Sequence, residues 1–550
     1  MLALRDQSTI GEVWVDAVRA HGDRPFIAFP AGSSAGAVPD MLELSYAQVG
    51  AAVERWAEIY RRAGYGPGHR VAMLLENRAE HFVHKLALNS IGVSCVPINP
   101  DYRSNEIAYL AEHAEPELVL TVTSRASQAG QGIAESPHKP PILLVEHDTQ
   151  PPPPRRPATA ATVTPSTEAS LLYTSGTTGW PKGCMLSHGY EVSVGAWYAE
   201  LPGLAGLRRG EDRIYNPLPL YHVNAGVVSL FGAICSGCCQ IQADRFHAQR
   251  WWADVVQTRA TVVHYLGIVV QALMRQPDSG LSRGHRVRVG IGAGVEPQLH
   301  AAFEARFGFP LVEIWGMTEM VRLLGDSIEP RKVGTRAFGR ATPGIDVRVV
   351  DDGDLDVPDG TPGEMLIRHS AQTPRRGAFS GYLKNEAETK KAWRGGWFHT
   401  GDTVYRAVDA MLHFVDRKKN IIRRSGENIA AAEVEALLLT HPDVAQAAVL
   451  ALPDDLREEE VLACVVLKAG TGDRDTALSI FNFCHRRLAY YKAPGWIWFT
   501  DALPTTGTQK IQKHTIFAPQ VDPRTLPGMI DLRALKKRGN AADPAGSHTG

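Results

Sequence analysis

Between residues 11 and 120 the apolar positions alternate between helical spacing and short continuous runs. Tyr46–Ala63 is amphipathic and predicts a helix. Arg70-Val-Ala-Met-Leu-Leu predicts a strand, followed by a helix and a second strand at Val93-Ser-Cys-Val-Pro-Ile. This succession predicts βαβ units around a largely parallel sheet, because a parallel pair needs a crossover long enough to hold a helix. Apolar runs near Ile214–Asn216, Thr261–Leu266, Arg288–Ile291 and Leu311–Ile314 predict a second layer of the same kind. The segment holding Cys235, Cys238 and Cys239 reads as an apolar strand with buried thiols; no second Cys/His pair follows to complete a metal site.

Gln150-Pro-Pro-Pro-Pro-Arg-Arg-Pro interrupts the pattern and predicts a connector running over the surface. Near Asp416 the pattern restarts as a small α+β unit. The expected architecture is therefore α/β. A large N-terminal domain of stacked mixed sheets with helices spans 1–416, with subdomains of about 1–150 and 167–416 around the connector 150–166. A small mobile C-terminal domain spans 417–525, and a flexible tail 526–550 carries a solvated Lys536-Lys-Arg run.

At 550 residues the chain needs several domain-sized cores, and 44% apolar and 21% charged residues are ordinary for a globular protein. A net charge of −1 argues against a general nucleic-acid or anionic-membrane binder. The start Met1-Leu-Ala-Leu-Arg-Asp turns polar too soon for a secretory signal, and Ala225–Cys239 is too short and too interrupted to span a membrane. Seven cysteines are too few for a disulfide scaffold of this length, so a cytoplasmic setting is expected. A homodimer is compatible with all of this.

The densest chemistry lies at Leu171-Leu-Tyr-Thr-Ser-Gly-Thr-Thr-Gly-Trp-Pro-Lys-Gly183. Backbone N–H groups at Gly176 and Gly179, with hydroxyls from Thr174, Ser175, Thr177 and Thr178, can wrap a polyphosphate, and Lys182 adds a mobile positive charge. The lysine follows a proline, unlike the nucleoside-triphosphate loop that ends Gly-Lys-Ser/Thr. Two other glycine patterns are set aside. Gly32-Ser-Ser-Ala-Gly36 lacks the strand-to-helix context of a nucleophile elbow. Gly290-Ile-Gly-Ala-Gly294, even with Glu313 downstream, has Val295 where a dinucleotide fingerprint needs glycine.

Five further clusters follow in fixed order: Pro219-Leu-Tyr-His-Val-Asn224, Trp315-Gly-Met-Thr-Glu319, Trp397-Phe-His-Thr-Gly-Asp402, Asp416-Arg-Lys-Lys-Asn-Ile-Ile-Arg-Arg-Ser-Gly-Glu-Asn428 and Leu503-Pro-Thr-Thr-Gly-Thr-Gln-Lys-Ile-Gln-Lys513. This set, over roughly residues 8–518, resembles the adenylate-forming superfamily of acyl-CoA synthetases, luciferases and carrier-protein adenylation domains. Gly325-Asp326 and the stretch Asp416–Glu435 resemble its crotonobetaine/carnitine-CoA ligase-like members.

The resemblance implies that a carboxylate displaces pyrophosphate from ATP to give an acyl-adenylate, and that the thiol of CoA then takes the acyl group. Negative charge gathering on phosphorus oxygens calls for a cation and a metal ion. By this resemblance Lys510 is the catalytic lysine bridging carboxylate and α-phosphate, Thr318 contacts the α-phosphate, and Glu319 holds Mg²⁺. Asp402 binds the ribose hydroxyls, assisted by Arg417. Trp315, with Gly316 and Met317, lies along the adenine opposite the wall Gly292-Ala293-Gly294. Lys419 is the hinge of a C-terminal domain that rotates between half-reactions. Ser425, Gly426 and Glu427 form the CoA-tunnel loop.

His222 resembles the gate of the acyl pocket, with Val223, Ala225, Tyr265, Leu266, Gly267, Val321 and Arg322 as pocket positions. The absence of an acid in Tyr221-His-Val-Asn-Ala-Gly disfavours an α-amino acid, and the apolar lining implies a hydrophobic carboxylic acid. Arg322 leaves room for a second polar group on it. Two departures stand out: Gln509 replaces the glycine that usually precedes the catalytic lysine, and Trp180 occupies a loop position that is usually polar. Gln509 keeps open an alternative in which the acyl-adenylate passes to an acyl carrier protein or partner enzyme. A regulator without turnover is disfavoured by Lys510, Glu319 and Asp402 all being present.

Overall fold

The structure, a computed structural model, describes residues 7–33, 40–174, 181–417, 421–504, 511, 513–518 and 521–538. The amphipathic pattern resolves as expected at Tyr46–Arg62. Ser45 caps this helix by accepting from Gln48 N–H while the Gln48 side chain reaches back, and Tyr46, Val49, Val53, Trp56, Ala57 and Tyr60 form its buried stripe.

Among the described residues the strands form four sheets. A seven-stranded sheet carries five parallel strands, Glu168–Thr174, Ser94–Pro97, Arg70–Leu74, Leu118–Thr121 and Ile142–Leu144, with two antiparallel strands beyond Glu168–Thr174. An eight-stranded sheet runs Met320–Gly325, Leu311–Met317, Val289–Ala293, Val262–Leu266, Arg213–Asn216, Cys239–Gln242, Pro25–Phe29 and Leu42–Ser45, parallel except at its two ends. A five-stranded antiparallel sheet follows, and then the sheet of the C-terminal domain.

Sheet membership crosses the connector, which corrects the two-subdomain expectation. Pro25–Phe29 pairs with Cys239–Gln242, and Glu168–Thr174 pairs with Ser94–Pro97. Such pairings, far apart in sequence, have no local signature. The connector runs over the surface as expected, strapped by Thr159 N–H to the Pro67 carbonyl and by Arg156 Nε to Glu117 at 2.6 Å.

Three other expectations are corrected. The cysteine segment is a one-turn π-helix at Asn224–Ser229 and a helix at Leu230–Ser236, and a strand begins only at Cys239. The three thiols are buried as foreseen. The tail does not begin at 526: Met529–Asp531 pairs antiparallel with Trp496–Phe499. Nor is the Lys536 run solvated. Lys536 is buried, pairs with Glu460 and donates to the Tyr491 carbonyl at 2.9 Å, while Arg538 reaches Asp101 of the large domain at 2.6 Å. Burial pushes the Lys536 ammonium down to about 7 against the pull of Glu460. No helix among the described residues is long and apolar enough to cross a membrane.

Candidate active site

Parallel strands leave their carboxyl ends open to ligands where connections diverge. Here Pro97 and Thr174 end strands of one sheet, and Leu266, Ala293 and Met317 end strands of the other. All five line one cavity of about 460 Å³. The hairpin Glu168–Thr174/Lys182–Ser187 sets Lys182 opposite Thr174, which lines the cavity, while Lys182 does not. Ser175, Gly176, Thr177, Thr178, Gly179 and Trp180 lie outside the described residues.

Lys182 is already engaged: its Nζ pairs with Glu388 and sits 5.2 Å from the Tyr382 ring centroid. Tyr382 O–H donates to Glu319 Oε1 at 2.8 Å, so a short chain of contacts links the loop lysine to the carboxylate expected to hold the metal. Thr318 is fixed through its carbonyl, which accepts from Tyr190 O–H at 2.7 Å.

The wall Gly292-Ala293-Gly294 is built by close approach. A Cβ at Gly292 would lie 2.2 Å from the Tyr265 carbonyl, which no side chain tolerates. Glu313 clamps this turn, accepting from Gly294 N–H at 2.8 Å and from Tyr265 O–H at 2.7 Å. Burial raises the Glu313 carboxyl despite these donors. Gly316 and Met317 line the same cavity. The residue opposite is anchored too: Trp315 Nε1–H donates to Asp402 Oδ2 at 2.9 Å, and the indole packs near Phe338. A tyrosine there would place its donor differently, so Trp315 orients Asp402. Arg417 pairs with Asp402 in strand register.

Of the acyl-pocket expectations, His222, Val223, Tyr265 and Leu266 line the cavity. Ala225 and Gly267 do not: Ala225 is fully buried, and a Cβ at Gly267 would meet the Gly294 carbonyl at 2.0 Å. Arg322 is also corrected. On strand Met320–Gly325 it faces away from the cavity, buried over the Trp197 ring and donating to the Arg376 carbonyl at 3.0 Å. Val321 shares that strand.

The C-terminal domain closes the cavity with its hairpin Ile421–Arg424/Glu427–Ala430. Ser425 and Gly426 form the turn, Gly426 at φ +88°, where a Cβ would meet Leu266 Cδ1 at 2.7 Å. Glu427 accepts from Tyr221 O–H at 2.8 Å and approaches His222 Nε2 at 3.4 Å. Burial raises its carboxyl, but His222 and the Tyr221 hydroxyl more than offset it and hold it below the usual range.

The docking strip on the large domain, residues 99–106, carries no sequence signal. Asn99 donates to Tyr491 at 2.9 Å and Arg103 to the Leu488 carbonyl at 3.3 Å. Buried Lys492 donates at 2.7 Å both to Glu106 and to Glu433. The segment around the expected catalytic lysine lies elsewhere: Leu503 and Ile511 pack with Trp496 and Trp498, and none of the described residues 503–518 lines the cavity. Lys510 and Lys419 themselves lie outside the described residues.

Glu458 adds a titratable contact to the docked arrangement. It accepts from Ile268 N–H at 2.9 Å, and burial pushes its carboxyl from 4.5 up to about 7. A raised folded-state value means its stabilisation is fully present below about 4.5 and lost as pH rises through about 7. Docking of the C-terminal domain is therefore expected to weaken across that window, and Glu458→Gln to flatten the profile. Interdomain energy transfer measured against pH reads this directly; a profile unchanged by the substitution contradicts it.

The comparisons with known proteins agree with this geometry. The AMP-binding enzyme family matches residues 14–383, and its C-terminal domain matches residues 433–510. A crotonobetaine/carnitine–CoA ligase of Citrobacter koseri is 29% identical over 523 residues, covering 92% of this chain and 98% of the ligase. An o-succinylbenzoate CoA synthetase from Bacillus subtilis superposes with a TM-score of 0.78 at 23% identity, covering 93% of this chain and 98% of its own. An amide bond synthetase from Marinactinospora thermotolerans superposes at 0.76 with 25% identity, covering 92% of this chain and 98% of its own.

Proposed function

Since the chain belongs to the AMP-binding enzyme family, as an AMP-forming carboxylate–CoA ligase, we propose that it activates a hydrophobic carboxylic acid with ATP and Mg²⁺ and passes the acyl group to CoA. The observation that carries this reading is the seating of Ser425-Gly-Glu427 against Tyr221, His222 and Leu266. A loop of the mobile domain meets the expected acyl gate at the floor of the nucleotide cavity.

In adenylation the acid's carboxylate attacks the α-phosphorus of ATP and pyrophosphate leaves. The loop 174–182 would cradle the β- and γ-phosphates, Thr318 would contact the α-phosphate, and Asp402, steered by Trp315, would accept from the ribose hydroxyls. Glu319 lines the cavity beside Thr318, with one carboxylate oxygen held by Tyr382 O–H. That suits Mg²⁺, which takes one or two protein carboxylates and completes its shell with phosphate oxygens and water. The metal would neutralise charge on the phosphates. Lys510 and Lys419 take their roles from their motifs. In the second half-reaction the CoA thiol attacks the acyl carbonyl, AMP leaves, and Asn99, Tyr102, Tyr491 and Glu433 line the approach.

A product assay by mass spectrometry tests the reading. The protein with ATP and Mg²⁺ is given fatty, aromatic and polycyclic acids, each with and without CoA. Acyl-CoA formed from apolar acids, only when CoA is present, is the expected result. Acyl-adenylate accumulating despite CoA would overturn the CoA assignment in favour of transfer to a carrier protein or partner enzyme, the reading that Gln509 keeps open.

A further inference from the structure

One polar side chain in the acyl region is held rigidly and left with an open donor. The amide of Asn224 begins the π-helix that also brings Val228 to the cavity, and both side chains line it. Its orientation follows from a chain of hydrogen bonds that starts at the backbone. Leu218 N–H donates to Asn216 Oδ1 at 2.9 Å, which fixes the oxygen of Asn216 on that side. The Asn216 Nδ2 group must then be the donor at its other end. It reaches Asn224 Oδ1 at 2.9 Å and Ser229 Oγ at 2.7 Å.

His264 is a second partner of the same oxygen. It is buried in the strand Val262–Leu266, with Tyr198 O–H at 2.8 Å from Nε2 and Asn224 Oδ1 at 2.8 Å from Nδ1. Burial lowers the imidazole to about 3, so it is neutral with one N–H. Because Asn216 makes the Asn224 oxygen the acceptor, the proton sits on Nδ1 and points at Asn224 Oδ1, which leaves Nε2 to accept from Tyr198 O–H. Two donors therefore converge on the Asn224 oxygen, and its Nδ2 is turned the other way. Among the described residues nothing accepts from Nδ2.

Leu218, Val223, Val228, Leu266 and Leu323 give the same cavity apolar lining, while Tyr221 and His222 are taken up by Glu427. A single oriented donor in an apolar wall discriminates strongly, because a ligand without an acceptor leaves that donor desolvated and unpaired.

We propose that the acid substrate carries an uncharged oxygen acceptor within its apolar chain, a ketone, hydroxyl or amide carbonyl, and that Asn224 Nδ2 donates to it. This rests on the ligase reading and narrows its substrate class. Asn224 is then a specificity-determining residue that acts in binding, with no part in the chemical step.

The test compares octanoic acid with the series of its mono-oxo analogues, the ketone moved along the chain, by ATP- and CoA-dependent thioester formation. For the wild type, one or two adjacent oxo positions are expected to exceed octanoic acid in kcat/KM by roughly 10- to 100-fold, mainly through KM. Asn224→Asp keeps the oxygen that Asn216 and His264 need but removes the donor, so the preference should fall to unity or reverse. Asn224→Leu removes donor and charge together and should also abolish it; a melting temperature raised by ATP, as in the wild type, marks a folded variant. No preference at any position, or one that survives both substitutions, overturns the assignment of Asn224. Failure of every acid to form adenylate or thioester overturns the ligase reading instead.

Discussion

Replacing Lys510 with alanine is expected to lower adenylate formation by at least about 10²–10³-fold, because one preorganised cation at a phosphoryl transition state is worth several kcal/mol. Transfer from a chemically synthesised acyl-adenylate to CoA should survive, since the resemblance assigns the lysine to the first half-reaction alone. The structure is arranged in keeping with that division. The described residues flanking Lys510 pack behind the C-terminal sheet with Trp496 and Trp498, while Ser425–Glu427 occupy the cavity. Pyrophosphate release measured beside single-turnover thioester formation separates the two steps. Equal loss in both would reject the assignment.

Replacing Lys492 with methionine is expected to act in the opposite sense. The ammonium is fully buried between Glu106 of the large domain and Glu433 of the small one. Burial alone would lower its pKa, but the two carboxylates hold it well above the ordinary range. Removing the lysine leaves two buried carboxylates facing each other across the domain junction. Breaking a buried pair in this way costs about 3–5 kcal/mol, and the cost falls on the docked arrangement. Thioester formation should drop about 10²-fold or more, with adenylation less affected. Burial already raises the Glu433 carboxyl, so lowering the pH should protonate one of the pair and restore part of the loss. A loss shared equally by both half-reactions, insensitive to pH, would mean that Lys492 supports the fold generally.

The family resemblance puts Arg322 in the acyl pocket. On a strand, successive side chains face opposite ways, and a motif does not say which face meets the ligand; Arg322 stacks on Trp197 instead. Glu313 stands downstream of a glycine run that does not complete a dinucleotide fingerprint, yet it clamps the turn at Gly294. No spacing could have shown this, because the contact depends on two adjacent parallel strands being in register. The Lys536 run resembles a solvated patch in any linear reading, but its partners Glu460 and Asp101 lie far away in sequence.

Local sequence alone determined the alternation of helices and strands, the restart near 416, and the order of small-residue and charged motifs that mark adenylate chemistry. Those properties depend on short-range periodicity and on residue types the reaction itself demands. Tertiary structure decided which strands share a sheet, which face Arg322 takes, and how residues 99–106 receive Tyr491 and Lys492. It also decided which way the Asn224 amide points, since that follows from partners at positions 216 and 264. Each of these rests on burial and hydrogen bonding between groups distant in the chain, where the energy depends on three-dimensional approach and leaves no trace in local pattern.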